Sequence, residues 1–556
     1  MPPADPDTAR LWSRPQPGWG WAFGAAIIAV LVCLPIIALV VIALQGSDGL
    51  WPHLFAYVLP VATRDTLILL AGVGVIVSVI GTSTAWIVTA YDFRGRALLE
   101  WALLLPLAVP TYIVAYAYLD ILHPVGAVQG AIRQLFGYAS PAEFRLPEIR
   151  SLWGCVVLLG LVLYPYVYLT TRAIFLNQAA NLVEVSRTLG SRRGSVFWRV
   201  GLPLGRPAIA VGVSLALMET LNDIGASEFL GARTLTVSIY STWINRTDLP
   251  GAAQISLAML ALVIALVLFE RWARRHQRYN TAAQKPRVMQ PERLTGGRAV
   301  LAFVGCAVPI LLGFVAPSLY LVSEAYKRFQ FAGISAQIAA ETLNTVLVSL
   351  ITTLVVLGCG LIVAYAARLR NGTAASLVAR ASTLGYAVPG TVLAIGLLTP
   401  IGLFDQAFAT AADTLLGVST GLLLLGSGAA LIYAYSARFM AIATGGIEAG
   451  FSRISPSLDH AARMLGHTST GTFRHVHLPL SKTALAAAGL LVFVDCMKEL
   501  PATLLLRPLN FETLATHLYG EASRGTYEEA SIAALIIVVI GILPVALLAR
   551  VGKETR

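Results

Sequence analysis

The chain has 556 residues, of which 57% are hydrophobic and only 12% charged. A soluble domain of that length cannot hide so much apolar surface, so the composition excludes a cytosolic globular enzyme and implies a polytopic membrane protein. The formal net charge of +11 is scattered over loops between apolar runs, which suits topology signals and contact with anionic lipid rather than nucleic-acid binding.

Runs long enough to cross roughly 30 Å of hydrocarbon as a helix recur along the chain. They predict about twelve spans. The first six lie near 21–45, 66–91, 99–121, 151–176, 205–226 and 252–271, the second six near 299–322, 343–367, 381–403, 416–437, 482–505 and 530–550. The short alternating segments of a membrane β-barrel are absent from the sequence. The first apolar run is too long for the core of a signal peptide and is read as a span. Arginines and lysines concentrate in alternate loops, among them Arg94, Arg96, Arg192, Arg193, Arg275, Arg368 and Arg463. These fall on one side of the membrane if both termini are cytoplasmic. The five cysteines stand singly inside apolar segments, with neither disulfide nor metal-clip spacing.

A polar stretch at 272–297 has no apolar period and reads as a cytoplasmic linker. The flanking parts, 1–271 and 298–556, repeat one another. Thr66 matches Thr345, Ala108-Val109-Pro110 matches Ala387-Val388-Pro389, and Tyr240 matches Tyr519, all at an offset of 279. Gly190 matches Gly466 and Leu202-Pro203 matches Leu478-Pro479 at 276, a slip that compensating changes in loops would leave. Each copy begins and ends on the same side, so the repeat is parallel, and the geometry expected is a fused dimer with a central pathway.

The loop after the fourth span of each copy carries one pattern. In the first, spanning 184–203, Glu184-Val185-Ser186 precedes Gly190, and nine residues separate that glycine from Val200-Gly201-Leu202-Pro203. In the second, spanning 460–479, His460-Ala461-Ala462 precedes Gly466, with the same interval to Val476-His477-Leu478-Pro479. Such a segment should form a short helix ended by its glycine, then a turn into the next span. Its apolar side can enter a groove on a partner, with Leu189, Val196 and Phe197 as candidate anchors in the first copy and Met464, Leu465 and Phe473 in the second.

The fifth span of each copy carries ionisable residues: Glu219 and Asp223 in the first, Asp495, Lys498 and Glu499 in the second. The i, i+4 spacing of the acids should place each pair on one helix face. Acids at membrane depth mark a cation-attracting path or a gate. The alternative is a structural clamp, with Lys498 pairing Asp495 and Asp223 capping a broken helix at Gly225. Pro110 and Pro389 interrupt the third spans as hinges or tolerated kinks. Tyr112, Tyr116, Tyr164 and Tyr166 are candidates for a polar path, with interfacial packing as the other reading. No G-x4-GK[S/T] phosphate loop occurs in the chain, and no metal site or cofactor is assigned to it.

The paired loops resemble the E-A-A-x3-G-x9-I-x-L-P coupling loops of ABC importer permeases. Val185-Ser186 and His460 depart from that pattern. The segment Met497-Lys498-Glu499-Leu500-Pro501-Ala502-Thr503-Leu504-Leu505-Leu506-Arg507-Pro508, continuing through Asn510-Phe511-Glu512-Thr513-Leu514-Ala515-Thr516, is similar to the fused permeases of bacterial iron(III) importers. The resemblance implies an all-α membrane protein of two parallel six-helix repeats, the type I importer fold, in a bacterial inner membrane. It also implies two copies of a separate ATP-binding protein and a periplasmic iron(III)-binding protein as partners, with alternating access as the mechanism. A related permease for thiamine or a phosphonate would share this architecture. An ion-driven secondary transporter would explain the spans and acids but not the paired loops.

Overall fold

The computed structural model describes residues 18–47, 49–177, 196–274, 291–333, 335–370 and 372–554. Among the described residues, ten helices are long and apolar enough to cross a membrane, or up to twelve if two sharply bent pairs each count as one span. The chain is an all-α, multi-pass membrane protein, and its helices expose large apolar side chains such as Val75, Val79 and Leu354 where a soluble protein would be polar.

The chain packs as two compact bodies. One lies within Met1–Ala38, Leu347–Val388 and Pro400–Cys496, the other within Leu39–Val346, Pro389–Thr399 and Met497–Arg556. Neither coincides with a sequence copy, because the first span of each copy packs on the other. In the first body, Ala25, Ile28 and Val32 of the Trp19–Leu44 helix interlock with Val363, Ala366, Ala437 and Met440. In the second body, the Gly297–Phe331 helix lies against the first copy. Tyr118 donates to the Leu312 carbonyl at 2.6 Å and Tyr320 donates to Asp120 Oδ2 at 2.7 Å.

Small residues set the closest helix approaches in the second body. A Cβ added at Gly81 would sit 2.6 Å from Val167 Cβ and 2.9 Å from the Tyr164 carbonyl oxygen. Only glycine lets the Trp51–Ala90 and Leu152–Asn177 helices come so near. The repeat is visible at the level of single hydrogen bonds. Thr66 Oγ1 donates to Ala62 O and accepts from Leu235 N at 3.0 Å; Thr345 Oγ1 donates to Glu341 O and accepts from Leu514 N at 2.9 Å.

Several predicted boundaries move. The span expected at 416–437 is Ala429–Ser452. Residues 417–428 are non-helical, because glycines at 417, 421, 426 and 428 interrupt the apolar run and Asp405 accepts from the backbone N–H groups of Leu424 and Leu425. Pro110 and Pro389 are not kinks inside a helix. Pro110 precedes the Thr111–Ile121 helix, which leaves Arg96–Ala108 at 93°, and Pro389 directly precedes Gly390–Leu416. A residue without an N–H, locked in φ, suits that starting position.

Candidate functional site

The second coupling segment folds as its pattern requires. The Ser455 hydroxyl accepts from Ser457 N, Pro456 opens the helix Pro456–Met464, and Gly466 takes φ +83° just beyond its end. His467 N donates to Ala462 O and Gly466 N to Arg463 O, both at 3.0 Å. This paired closure satisfies the helix's last carbonyls and requires a left-handed residue, which is why glycine stands there. Ala462 is buried, while His460, Ala461, Met464 (88% exposed) and Leu465 (80% exposed) face outward. A 74° bend at Ser481 then separates Ser469–Leu480, which contains Leu478 and Pro479, from the fifth span.

A charged clamp holds this segment from beneath. Arg368, at the end of the Ala336–Leu369 helix, donates to Asp459 Oδ2 at 2.8 and 3.1 Å. It also donates to the carbonyls of Phe451 and Ile454, capping the end of the fourth span. Buried His477 donates from Nε2 to Asp459 Oδ1 at 2.5 Å. Partial burial would push the Asp459 carboxyl up, but the hydrogen bonds from Arg368 and His477 outweigh it and hold the group below the ordinary carboxylate range. Around the clamp lies an aromatic floor. Tyr365 contacts Phe473, His477 and Phe451 with ring centroids 5.0, 5.2 and 6.3 Å apart.

Phe473 therefore points into the floor and is not free to anchor a partner, contrary to expectation; Met464 and Leu465 are. The first copy gives the same correction, since Val196 is buried and Phe197 packs on Trp86 at 5.4 Å. Glu184, Ser186, Leu189 and Gly190 lie outside the described residues. Leu202 and Pro203 continue the helix Phe197–Asn222 after a wide turn at Phe197–Gly201, matched by the wide turn at Phe473–His477.

The acids of the fifth spans are not paired on one helix face. The first of these helices ends at Asn222 and the second at Met497, so Asp223 and Glu499 lie beyond the helical register. Each starts the next short helix instead. Asp223 Oδ1 accepts from Ser227 N at 2.9 Å, and Glu499 Oε1 accepts from Ala502 N at 3.3 Å. Asp223 Oδ2 also accepts from the Thr111 hydroxyl. The capping role foreseen for Asp223 is thus present. Both carboxylates are buried, at 7% and 5% exposure. Glu219, Asp495 and Lys498 are half-buried and engaged with other groups.

Sequence reasoning missed Arg368, Asp459 and His477 as a unit, and it left Tyr112 between a polar path and interfacial packing. That side chain is 4% exposed and its hydroxyl has no partner among the described residues. It also missed Glu228, which accepts from Tyr519 across the two copies. The 279-residue match of Tyr240 and Tyr519 was the available signal for that contact.

A duplicated helical membrane fold with a glycine-ended segment before the second copy's fifth span fits a transport permease subunit. Residues 77–279 and 356–553 each match the model of the binding-protein-dependent transport system inner membrane component, and the chain belongs to that family. It is 25% identical over 528 residues to the Fe(3+)-transport system permease protein FbpB 2 of Haemophilus influenzae, covering 94% of this chain and 96% of that one. The sulfate transport system permease protein CysT of Salmonella typhimurium is 27% identical over 265 residues, 46% of this chain and 91% of its own length. The molybdenum transport system permease protein ModB of Escherichia coli is 28% identical over 204 residues, 36% of this chain and 86% of its own. Relatives of half the size thus align nearly whole with part of this chain, as expected where two permease copies are fused.

Proposed function

We propose that this subunit moves iron(III), delivered by a periplasmic binding protein, into the cytoplasm by alternating access driven by ATP hydrolysis on a separate protein. The copies 1–271 and 298–556 act as the two halves of the permease, joined by the linker at 272–297. Both termini are cytoplasmic, and each coupling segment receives one of two ATP-binding subunits. The exposed pair Met464 and Leu465, on a helix clamped from below by Arg368, carries the docking reading. Large apolar side chains held rigidly outward are suited to a partner's groove.

The fifth spans support a cationic cargo. Relatives carry names of both a cation and oxyanions, and a buried acid such as Asp223, with no cationic partner among the described residues, favours a cation over an oxyanion. Ligands shift the equilibrium between inward and outward states only by their differential affinity, so the permease need not hold the cargo tightly.

The test is reconstitution of this subunit in liposomes with its ATPase and a candidate binding protein, loaded in turn with iron(III), thiamine, molybdate or nothing. Iron uptake with stimulated ATP hydrolysis in the first arm alone is the expected result; uptake of another cargo overturns the iron reading. Replacing Met464 and Leu465 by serine should change stability by no more than about 0.5 kcal/mol, as for ordinary surface sites, yet weaken ATPase assembly. Undiminished assembly would remove the docking role from this face.

A further inference from the structure

Beyond the end of the Ala336–Leu369 helix the chain turns into the short helix Thr373–Ser382. Val378 and Ala379 pack it on the cluster that includes Ala25, Ile28, Val363 and Met440, while Leu377 is 65% exposed. A short helix of this kind lies along a membrane surface with an apolar residue toward lipid. Gly372, Ser376, Arg380 and Thr383 recur every three or four positions, so one strip of the chain faces a single cleft of about 370 Å³. Arg370 and Glu448, from the two neighbouring helices, line the same cleft.

The first copy closes the corresponding place with an ion pair. Gly81 meets Val167 and Tyr168 as Gly360 meets Ala443 and Thr444, so the fourth spans correspond at an offset of 276. Glu448 then matches Arg172, and Ala379, at the offset of 279, matches Glu100. Arg172 donates to Glu100 in the first copy. The second copy has an alanine in place of that acid and a carboxylate in place of that guanidinium. It carries arginines at 370 and 380, where the first copy has Tyr91 and Trp101. The side chains of Arg370, Arg380 and Glu448 make no hydrogen bond or ion pair among the described residues. The Nε of Arg370 is moreover shut off from solvent. An unmatched buried donor is costly, and guanidinium groups match the oxygens of a phosphate.

We propose that this cleft binds the headgroup of an ethanolamine phospholipid, the phosphate held by Arg370 and Arg380 and the ammonium seated beside Glu448. Basic pockets at the ends of membrane helices recognise phosphate headgroups by this chemistry. One carboxylate beside two guanidinium groups disfavours a free phosphate dianion and suits a phosphate diester that carries its own amine. The bound lipid braces the helix end that also carries Arg368 and, through Asp459, the coupling segment.

The test takes the full-length permease, delipidated in detergent, and adds phosphatidylethanolamine or phosphatidylglycerol, with retained lipid counted by native mass spectrometry. Wild type should hold phosphatidylethanolamine. Arg370→Gln combined with Arg380→Gln should weaken retention about tenfold or more, the scale of removing two arginines from a headgroup. Ala379→Glu combined with Glu448→Arg writes the first copy's ion pair into the second; it should keep the fold, read by thermal unfolding, and abolish retention. Glu448→Gln should erase the preference for ethanolamine over glycerol headgroups. Inorganic phosphate at millimolar concentration should leave the lipid in place. Equal retention by wild type and both paired variants overturns the site. Displacement by inorganic phosphate assigns the cleft to a free anion and overturns the lipid, and a wild-type preference for phosphatidylglycerol overturns the ammonium seat. None of these outcomes touches the iron(III) reading.

Discussion

The two copies carry equivalent aromatic clusters built differently. In the first copy Trp86 packs on Phe175 and Phe197, with centroids 5.2 and 5.4 Å away, over Gly201. In the second, Tyr365, Phe451 and Phe473 occupy the corresponding positions and His477 replaces the glycine. The large indole fills what glycine leaves; the smaller phenol makes room for an imidazole. Thr89 and Val183 of the first copy likewise correspond to Arg368 and Asp459 of the second. Four positions thus differ in concert, and the second copy alone carries the Arg368–Asp459–His477 clamp. A duplicated scaffold can keep its packing volume while one copy trades apolar contact for charge.

Exchanging the floor residues should break this comparison most severely. A Cβ at Gly201 would lie 2.6 Å from Trp86 Cζ3. Gly201→His should therefore destabilise the first copy by about 3 kcal/mol through overpacking and abolish ATPase assembly, read by thermal unfolding and co-purification. Adding Trp86→Tyr, which imports the second copy's pair, should recover part of both. A stable, assembling Gly201→His single variant would mean that the two floors are not volume-matched.

Removing the clamp comes next. Arg368→Ala leaves the Asp459 carboxylate to His477 alone and strands two helix-end carbonyls, a loss of about 2–3 kcal/mol for charge-assisted bonds. Its counterpart Thr89 only donates back to Ala85 O within its own helix, so Thr89→Ala should cost under about 1 kcal/mol. Equal losses at the two positions, measured in the same unfolding assay, would erase the asymmetry.

Much of this architecture was legible as spacing. The offset of 279 foretold the Thr66 and Thr345 relays, and the interval from Gly466 to Leu478-Pro479 foretold a glycine-ended helix. Contacts between distant segments were not legible. Asp459 reads as a neighbour of His460, yet its partner Arg368 lies 91 positions away. The i, i+4 rule placed Asp223 and Glu499 on helices, while the alternative of a break at Gly225 described the first of them; the spans end where a carboxylate caps the next helix. The apolar run near 416–437 misled for a related reason, since hydropathy ignores glycines and the reach of Asp405.

Gly466 offers a gentler perturbation. Nothing lies within 4 Å of a Cβ built there, so its requirement is purely conformational. Gly466→Ala should cost about 1–2 kcal/mol for the left-handed φ, whereas Gly466→Asn should be better tolerated. The same pair of substitutions at Gly190 should rank the same way if the copies share a cap. Equal stability for alanine and asparagine at either position would separate them.

The smallest effect distinguishes the copies by pH. Asp459 is held below its ordinary range when folded. Its contribution is therefore fully present above the unfolded carboxylate value, near 4. It is lost as pH falls from there through the folded value. Arg368 stays charged throughout and keeps its two carbonyls, so the loss is partial. Unfolding midpoints followed downward from pH 6 should show a fall attributable to this carboxylate that Asp459→Asn abolishes, the variant being less stable above the transition and converging with wild type below it. Val183, at the matching position of the first copy, has nothing to titrate. An unchanged acid profile in Asp459→Asn would show that the clamp's charge contributes nothing to holding the second coupling segment, leaving its aromatic floor to do so alone.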